Sequence, residues 1–143
     1  MPGRVALVRA PNGVLVIDDS YNANPHSVAR ALETLAELRG SGRAFAVLGD
    51  MFELGDDAPK LHAEVGRLAA AACVDLLVAV GPLSTHMAEA ARAAGLARVH
   101  ATDSAEEAAA LVRANARSGD AVLVKASRGM RLERVVKLLT ESC

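Results

Sequence analysis

Val14-Leu15-Val16-Ile17-Asp18-Asp19-Ser20-Tyr21-Asn22-Ala23-Asn24-Pro25-His26-Ser27 passes from an unbroken apolar run into a dense polar cluster and then into a helix start. The apolar run reads as a buried strand. Asn24 can cap free helix amides, and Pro25 at the first helical position forfeits no hydrogen bond. Beyond it, Val28, Ala31, Leu32, Leu35 and Leu38 recur at the three-to-four-residue spacing of one apolar helix face. A polar loop between a strand end and a helix start is where α/β proteins hold ligands, so Asp18 to Ser27 is a candidate site.

Upstream, Val5 to Val8 and Val14 to Ile17 flank Pro11-Asn12-Gly13, a hairpin signal that predicts an antiparallel opening pair. Downstream, helices are predicted over 25–39, 58–73, 83–95, 104–117 and 130–141, and strands over 43–48, 75–80, 97–101 and 120–125. Strands separated by helices require right-handed crossovers, which gives an α/β fold. Its sheet is mainly parallel, of about six strands, with an antiparallel N-terminal strand. Parallel strands end on one edge, so the loops 18–24, 49–57, 81–84, 101–104 and 125–130 converge there.

The 143 residues suit one domain, 1–143, with an aliphatic core: 52% are apolar, yet there are two Phe, one Tyr and no Trp. A net charge of −1 gives no bulk attraction to nucleic acid or membrane. No run approaches the roughly 18 apolar residues of a membrane span. The N-terminal apolar run is too short for a signal peptide, and Cys73 and Cys143 form no metal or disulfide framework, so a cytoplasmic location is expected.

Of the adjacent acids, Asp19 is favoured as the one entering the site, to hold a ribose hydroxyl or a magnesium-bound water; capping the next turn is the plainer alternative. Tyr21, Asn22 and Asn24 offer a ring and amides suited to a purine edge, with capping the alternative for Asn24. In Gly49-Asp50-Met51-Phe52-Glu53-Leu54-Gly55, the terminal glycines suggest special backbone angles, and Asp50 or Glu53 can bind a cationic group or simply be solvated. His62 and Glu64, two residues apart on a helix, are read as capping or packing residues. Ser84 and Thr85 are read as helix caps, and His86 and His100 as surface residues. Lys125 ends a buried strand and Arg128 and Arg131 sit at or near the start of the last helix, where cations oppose the helix dipole unless an anion such as a carboxylate or phosphate offsets them; long arms reaching into water are the plainer alternative. There is neither a G-x-x-x-x-G-K-[ST] phosphate loop nor a G-x-G-x-x-G fingerprint, so a triphosphate would have to be gripped elsewhere.

Four ordered segments resemble the C-terminal domain of the Mur ligase family: Asp18 to Pro25, Val47 to Met51 with Glu53-Leu54-Gly55, His62 to Gly66, and Val122 to Met130. The likeness implies a Rossmann-like three-layer domain. It also implies that N-terminal UDP-sugar and central ATPase domains lie outside this chain, and that the central domain holds Mg²⁺ and most of ATP. The implied reaction activates the carboxyl of UDP-N-acetylmuramoyl-tripeptide as an acyl phosphate, which the amine of D-alanyl-D-alanine attacks. By motif position, Asp19, Tyr21, Asn22 and Asn24 would approach the nucleoside of ATP. Lys125, Ser127 and Arg128 would approach the dipeptide, and Asp50 and Glu53 would line the cleft. Ala126 stands where the family usually has Gly.

Two other classes compete. A phosphoacceptor receiver domain would use Asp18-Asp19, Asp50 and Lys125, but its acceptor follows the third strand of the βα series and Asp50 follows the second. A free-standing nucleotide-binding module would share the fold without ligase function.

Overall fold

The computed structural model describes residues 5–19 and 23–141. Strands β1 (Ala6–Arg9) and β2 (Leu15–Asp19) form the opening antiparallel pair. Helix α1 (Pro25–Leu38), β3 (Ala44–Gly49), α2 (Ala58–Ala71), β4 (Leu76–Val80) and α3 (Ser84–Ala93) follow in alternation. The chain continues with β5 (Val99–Thr102), α4 (Ala105–Asn115), β6 (Ala121–Lys125) and α5 (Glu133–Thr140). The sheet order is β1-β2-β6-β3-β4-β5, and every neighbouring pair except β1–β2 is parallel. The α/β expectation therefore holds down to its antiparallel first strand.

The last strand inserts between β2 and β3, which makes β6 the axis of the carboxyl edge. Alternation along each strand divides the apolar residues between two cores. Ile17, Ala46, Leu48, Leu77, Ala79 and Leu123 pack with α1, α2 and α3 on one face. Val16, Phe45, Val47, Val78, Val122 and Val124 pack with α4 and α5 on the other. Burying each such Leu or Val contributes about 1.5–3 kcal/mol, which is how an aliphatic sheet holds without a large aromatic core. Close helix packing replaces bulk: a Cβ on Gly66 of α2 would lie 2.1 Å from the Met87 carbonyl of α3.

Asn24 caps α1 as expected. Its Oδ1 accepts the Ser27 N–H at 2.9 Å, and Ser27 Oγ accepts the Asn24 N–H at 3.1 Å, closing a reciprocal box. The last helix departs from expectation. A short 3-10 turn, Arg128–Met130, comes first; Arg131 then turns left-handed at φ 57°, so α5 starts only at Glu133. Arg128 and Arg131 thus precede the helix and do not occupy its first turn, which removes the helix-dipole argument for an anion there. Cys73, expected within a helix, lies just beyond the end of α2 at φ 58°.

The amino edge is pinned by carboxylates. Asp75 Oδ2 accepts the Ala44 N–H at 2.8 Å and pairs with Arg39 at 2.7 Å. Asp120 accepts the Arg43 and Arg117 N–H groups, each at 2.8 Å, and pairs with the Arg43 guanidinium at 3.3 Å. Burial alone would raise the Asp120 pKa; the two backbone donors and the Arg43 charge outweigh it and hold the carboxyl below its usual range. Both acids secure the start of β3 from its two neighbours.

Candidate functional site at the carboxyl edge

Asp19 ends β2 and Lys125 ends β6, and the parallel register places them side by side on the α1 face of the sheet. Lys125 Nζ lies 2.5 Å from Asp19 Oδ2, with the two side chains 3% and 7% exposed. The sequence assigned one to a nucleotide and the other to an anionic substrate; the fold makes them each other's counter-ion. Burying a pair so completely costs desolvation comparable to the attraction regained, so such a pair is weak evidence for a purely stabilising purpose. Asp18 points to the opposite face, as strand alternation requires.

Asp50, just past β3, is 2% exposed and has a different task. Its carboxylate accepts the Ser84 N–H at 2.8 Å, the Ser84 hydroxyl at 2.7 Å and the Leu83 N–H at 3.2 Å. It thereby supplies the N-terminal cap of α3 from another loop, the role the sequence gave to Ser84 and Thr85. Gly81 admits this contact, since a Cβ there would come within 2.6 Å of the Asp50 carboxylate.

The backbone of Asp50-Met51-Phe52 donates to three different elements. Asp50 N–H reaches Val80 O at 3.2 Å, Met51 N–H reaches His62 Nε2 at 2.9 Å, and Phe52 N–H reaches Ser127 Oγ at 2.9 Å. Ser127 N–H returns to Asp50 O at 3.2 Å. The loops after β3, β4 and β6 are thereby joined into one rim. Glu53 is exposed at φ 63°, and its neighbour Phe52 is 42% exposed beside Gly129, where a Cβ would lie 2.9 Å from the ring.

Gly49 was expected to supply an unusual backbone angle, but its φ is not positive. It is small because a Cβ would come 2.7 Å from the Ala126 methyl, itself fully buried. Asn24 lies at the same edge, with its Oδ1 committed to α1 and its Nδ2 left as donor. Tyr21 and Asn22 fall outside the described residues, and only the backbone of Arg128 is placed, in the 3-10 turn. His62, read with Glu64 as capping or packing, is fully buried and is also the acceptor for Met51, while Glu64 faces water. His86 and His100 are exposed. For magnesium the fit is poor. Asp19 is neutralised by Lys125 and Asp50 is spent on α3, and among the described residues no three His, Cys, Asp or Glu side chains are grouped to hold a metal.

A family model described as "Mur ligase, glutamate ligase domain" matches residues 3–128. The chain belongs to the Mur ligase family. It is 38% identical over 140 residues to the UDP-N-acetylmuramoyl-tripeptide–D-alanyl-D-alanine ligase of Bacillus subtilis, covering 97% of this chain and 31% of that protein. Among solved Mur ligases, the MurF ligase of Thermotoga maritima in complex with ADP is 30% identical with a TM-score of 0.83, over 98% of this chain and 31% of that one. MurF from Acinetobacter baumannii is 30% identical with a TM-score of 0.84, over 99% and 31%. The chain thus spans about a third of the length of the Mur ligases it matches.

Proposed function

We propose that this chain is the C-terminal domain of an ATP-dependent ligase that joins D-alanyl-D-alanine to UDP-N-acetylmuramoyl-tripeptide in peptidoglycan precursor synthesis. The observation that carries the reading is the rim itself: the segment similar to the family's nucleoside loop is joined to the segment similar to its dipeptide loop through Asp19 and Lys125. In the reaction, the tripeptide carboxyl takes the γ-phosphoryl group of ATP, the dipeptide amine attacks the acyl phosphate, and inorganic phosphate leaves as the amide forms. Upstream UDP-sugar and ATPase domains would hold the first substrate, Mg²⁺ and the triphosphate, and this chain would act as the closing wall. Asp19, Tyr21, Asn22 and Asn24 would meet the nucleoside. Ser127, with its oxygen already accepting Phe52 N–H, can donate its hydroxyl proton to a dipeptide carboxylate, alongside Lys125 and Arg128. Asp50 and Glu53 border the same cleft, Asp50 by holding α3. Closure would exclude water from the acyl phosphate.

A cytoplasmic location fits nucleotide-linked substrates, and among the described residues no helix is long and apolar enough to cross a membrane. The receiver reading is disfavoured because Asp50, its would-be phosphoacceptor, is buried and spent on α3. In the full-length ligase, Arg128→Ala is expected to raise KM for D-alanyl-D-alanine more than KM for ATP, and Asp19→Ala to do the reverse. Equal dipeptide constants in Arg128→Ala and wild type would refute the carboxylate assignment. The isolated chain is expected to show no ATPase activity.

A further inference from the structure

We infer that His62 is a positioning residue for the amino-acid side of the site: its imidazole fixes the Met51–Phe52 backbone, and through it the hydroxyl of Ser127. The ring is fully buried on α2. Its Nδ1 lies 2.7 Å from Ala58 O, which can only accept, so Nδ1 carries the proton. Nε2 is then an acceptor, and it receives the Met51 N–H. Met51 is itself 1% exposed, so without that acceptor its amide would be buried and unpaired. The next amide, Phe52 N–H, occupies Ser127 Oγ as acceptor, which leaves the Ser127 hydroxyl proton as the group's remaining donor. Moving Met51 therefore moves Phe52, and moving Phe52 frees Ser127 to rotate. Apart from the His62–Ala58 anchor within α2, the route consists of two hydrogen bonds and one peptide unit.

The inference rests on the ligase reading above. In the full-length ligase, His62→Met leaves only a weakly accepting thioether one atom short of Nε2, and His62→Asn is too short to reach Met51; His62→Gln keeps an acceptor oxygen. His62→Met or His62→Asn is expected to raise KM for D-alanyl-D-alanine about tenfold with KM for ATP changed less than about twofold, and His62→Gln to stay near wild type. Adding Ser127→Ala to His62→Met should raise the dipeptide constant no further than Ser127→Ala alone, a non-additivity that a merely structural histidine does not produce. In the 143-residue chain, the Phe52 amide should exchange faster in His62→Met than in His62→Gln. A dipeptide KM unchanged in His62→Met and His62→Asn, or raised equally with that for ATP, overturns the assignment of His62 alone. A wild-type enzyme indifferent to D-alanyl-D-alanine overturns the ligase reading and the inference with it.

Discussion

The two edges of the sheet use the same residue type for different ends. At the amino edge, Asp75 and Asp120 each accept a backbone N–H from the start of β3 and pair with arginines. At the carboxyl edge, Asp19 meets a buried lysine, while Asp50 holds the start of α3 and the loop behind it is tied to α2 and to Ser127. An aspartate that satisfies backbone amides serves the fold directly. One that buries a full charge against another side chain holds two loops together at a desolvation cost, and such costs gather where ligands are handled.

The largest effect is expected at Asp50. Asp50→Ala strips three donors of their acceptor in a buried place and should lower stability by about 3 kcal/mol or more, read by chemical denaturation, with Asp50→Asn intermediate. Next comes the buried pair. Lys125→Met alone should cost about 3 kcal/mol because it leaves Asp19 uncompensated, whereas Asp19→Asn with Lys125→Met should recover much of that loss. An equal loss in single and double variants would erase the contrast between the edges.

Gly49→Ala comes third. Its new methyl meets Ala126 and should cost about 1–3 kcal/mol, and Ala126→Gly in the same chain should relieve it. No relief would mean that the clash is with Leu132 instead, whose Cδ1 lies 2.9 Å from the built Cβ.

The smallest effect belongs to Asp120. Its pKa is depressed on folding, so its contribution is complete above its ordinary value of 3.8 and is lost as pH falls through the lower folded value. Asp120→Asn should therefore lower the denaturation midpoint at pH 7 by an amount worth about 1 kcal/mol and leave a shallower acid dependence below pH 4.

Local signals told the sequence most about elements and least about partnerships. The β2–α1 passage was legible because the apolar run, the Asn24 cap and Pro25 act within a few residues. The strand order was not, since nothing in 120–125 says that β6 inserts between β2 and β3. Asp19 and Lys125 each stand out locally at a strand end, yet their pairing spans 106 residues of chain, and the partners of Asp50 lie 33 and 34 residues away. The early start given to the last helix failed because apolar periodicity does not reveal that Arg131 turns left-handed. The role of His62 had a faint signal in a histidine on the apolar face of α2, but the backbone amide it serves is invisible to spacing.

The division between the edges is tested most directly by kinetics of the full-length ligase carrying Ser127→Ala or Asp120→Asn. Ser127→Ala should raise KM for D-alanyl-D-alanine, with a fall in melting temperature no larger than loss of the one Phe52 N–H bond produces. Asp120→Asn should lower the melting temperature with both substrate constants unchanged. A dipeptide KM that moves with Asp120 and not with Ser127 would contradict the account.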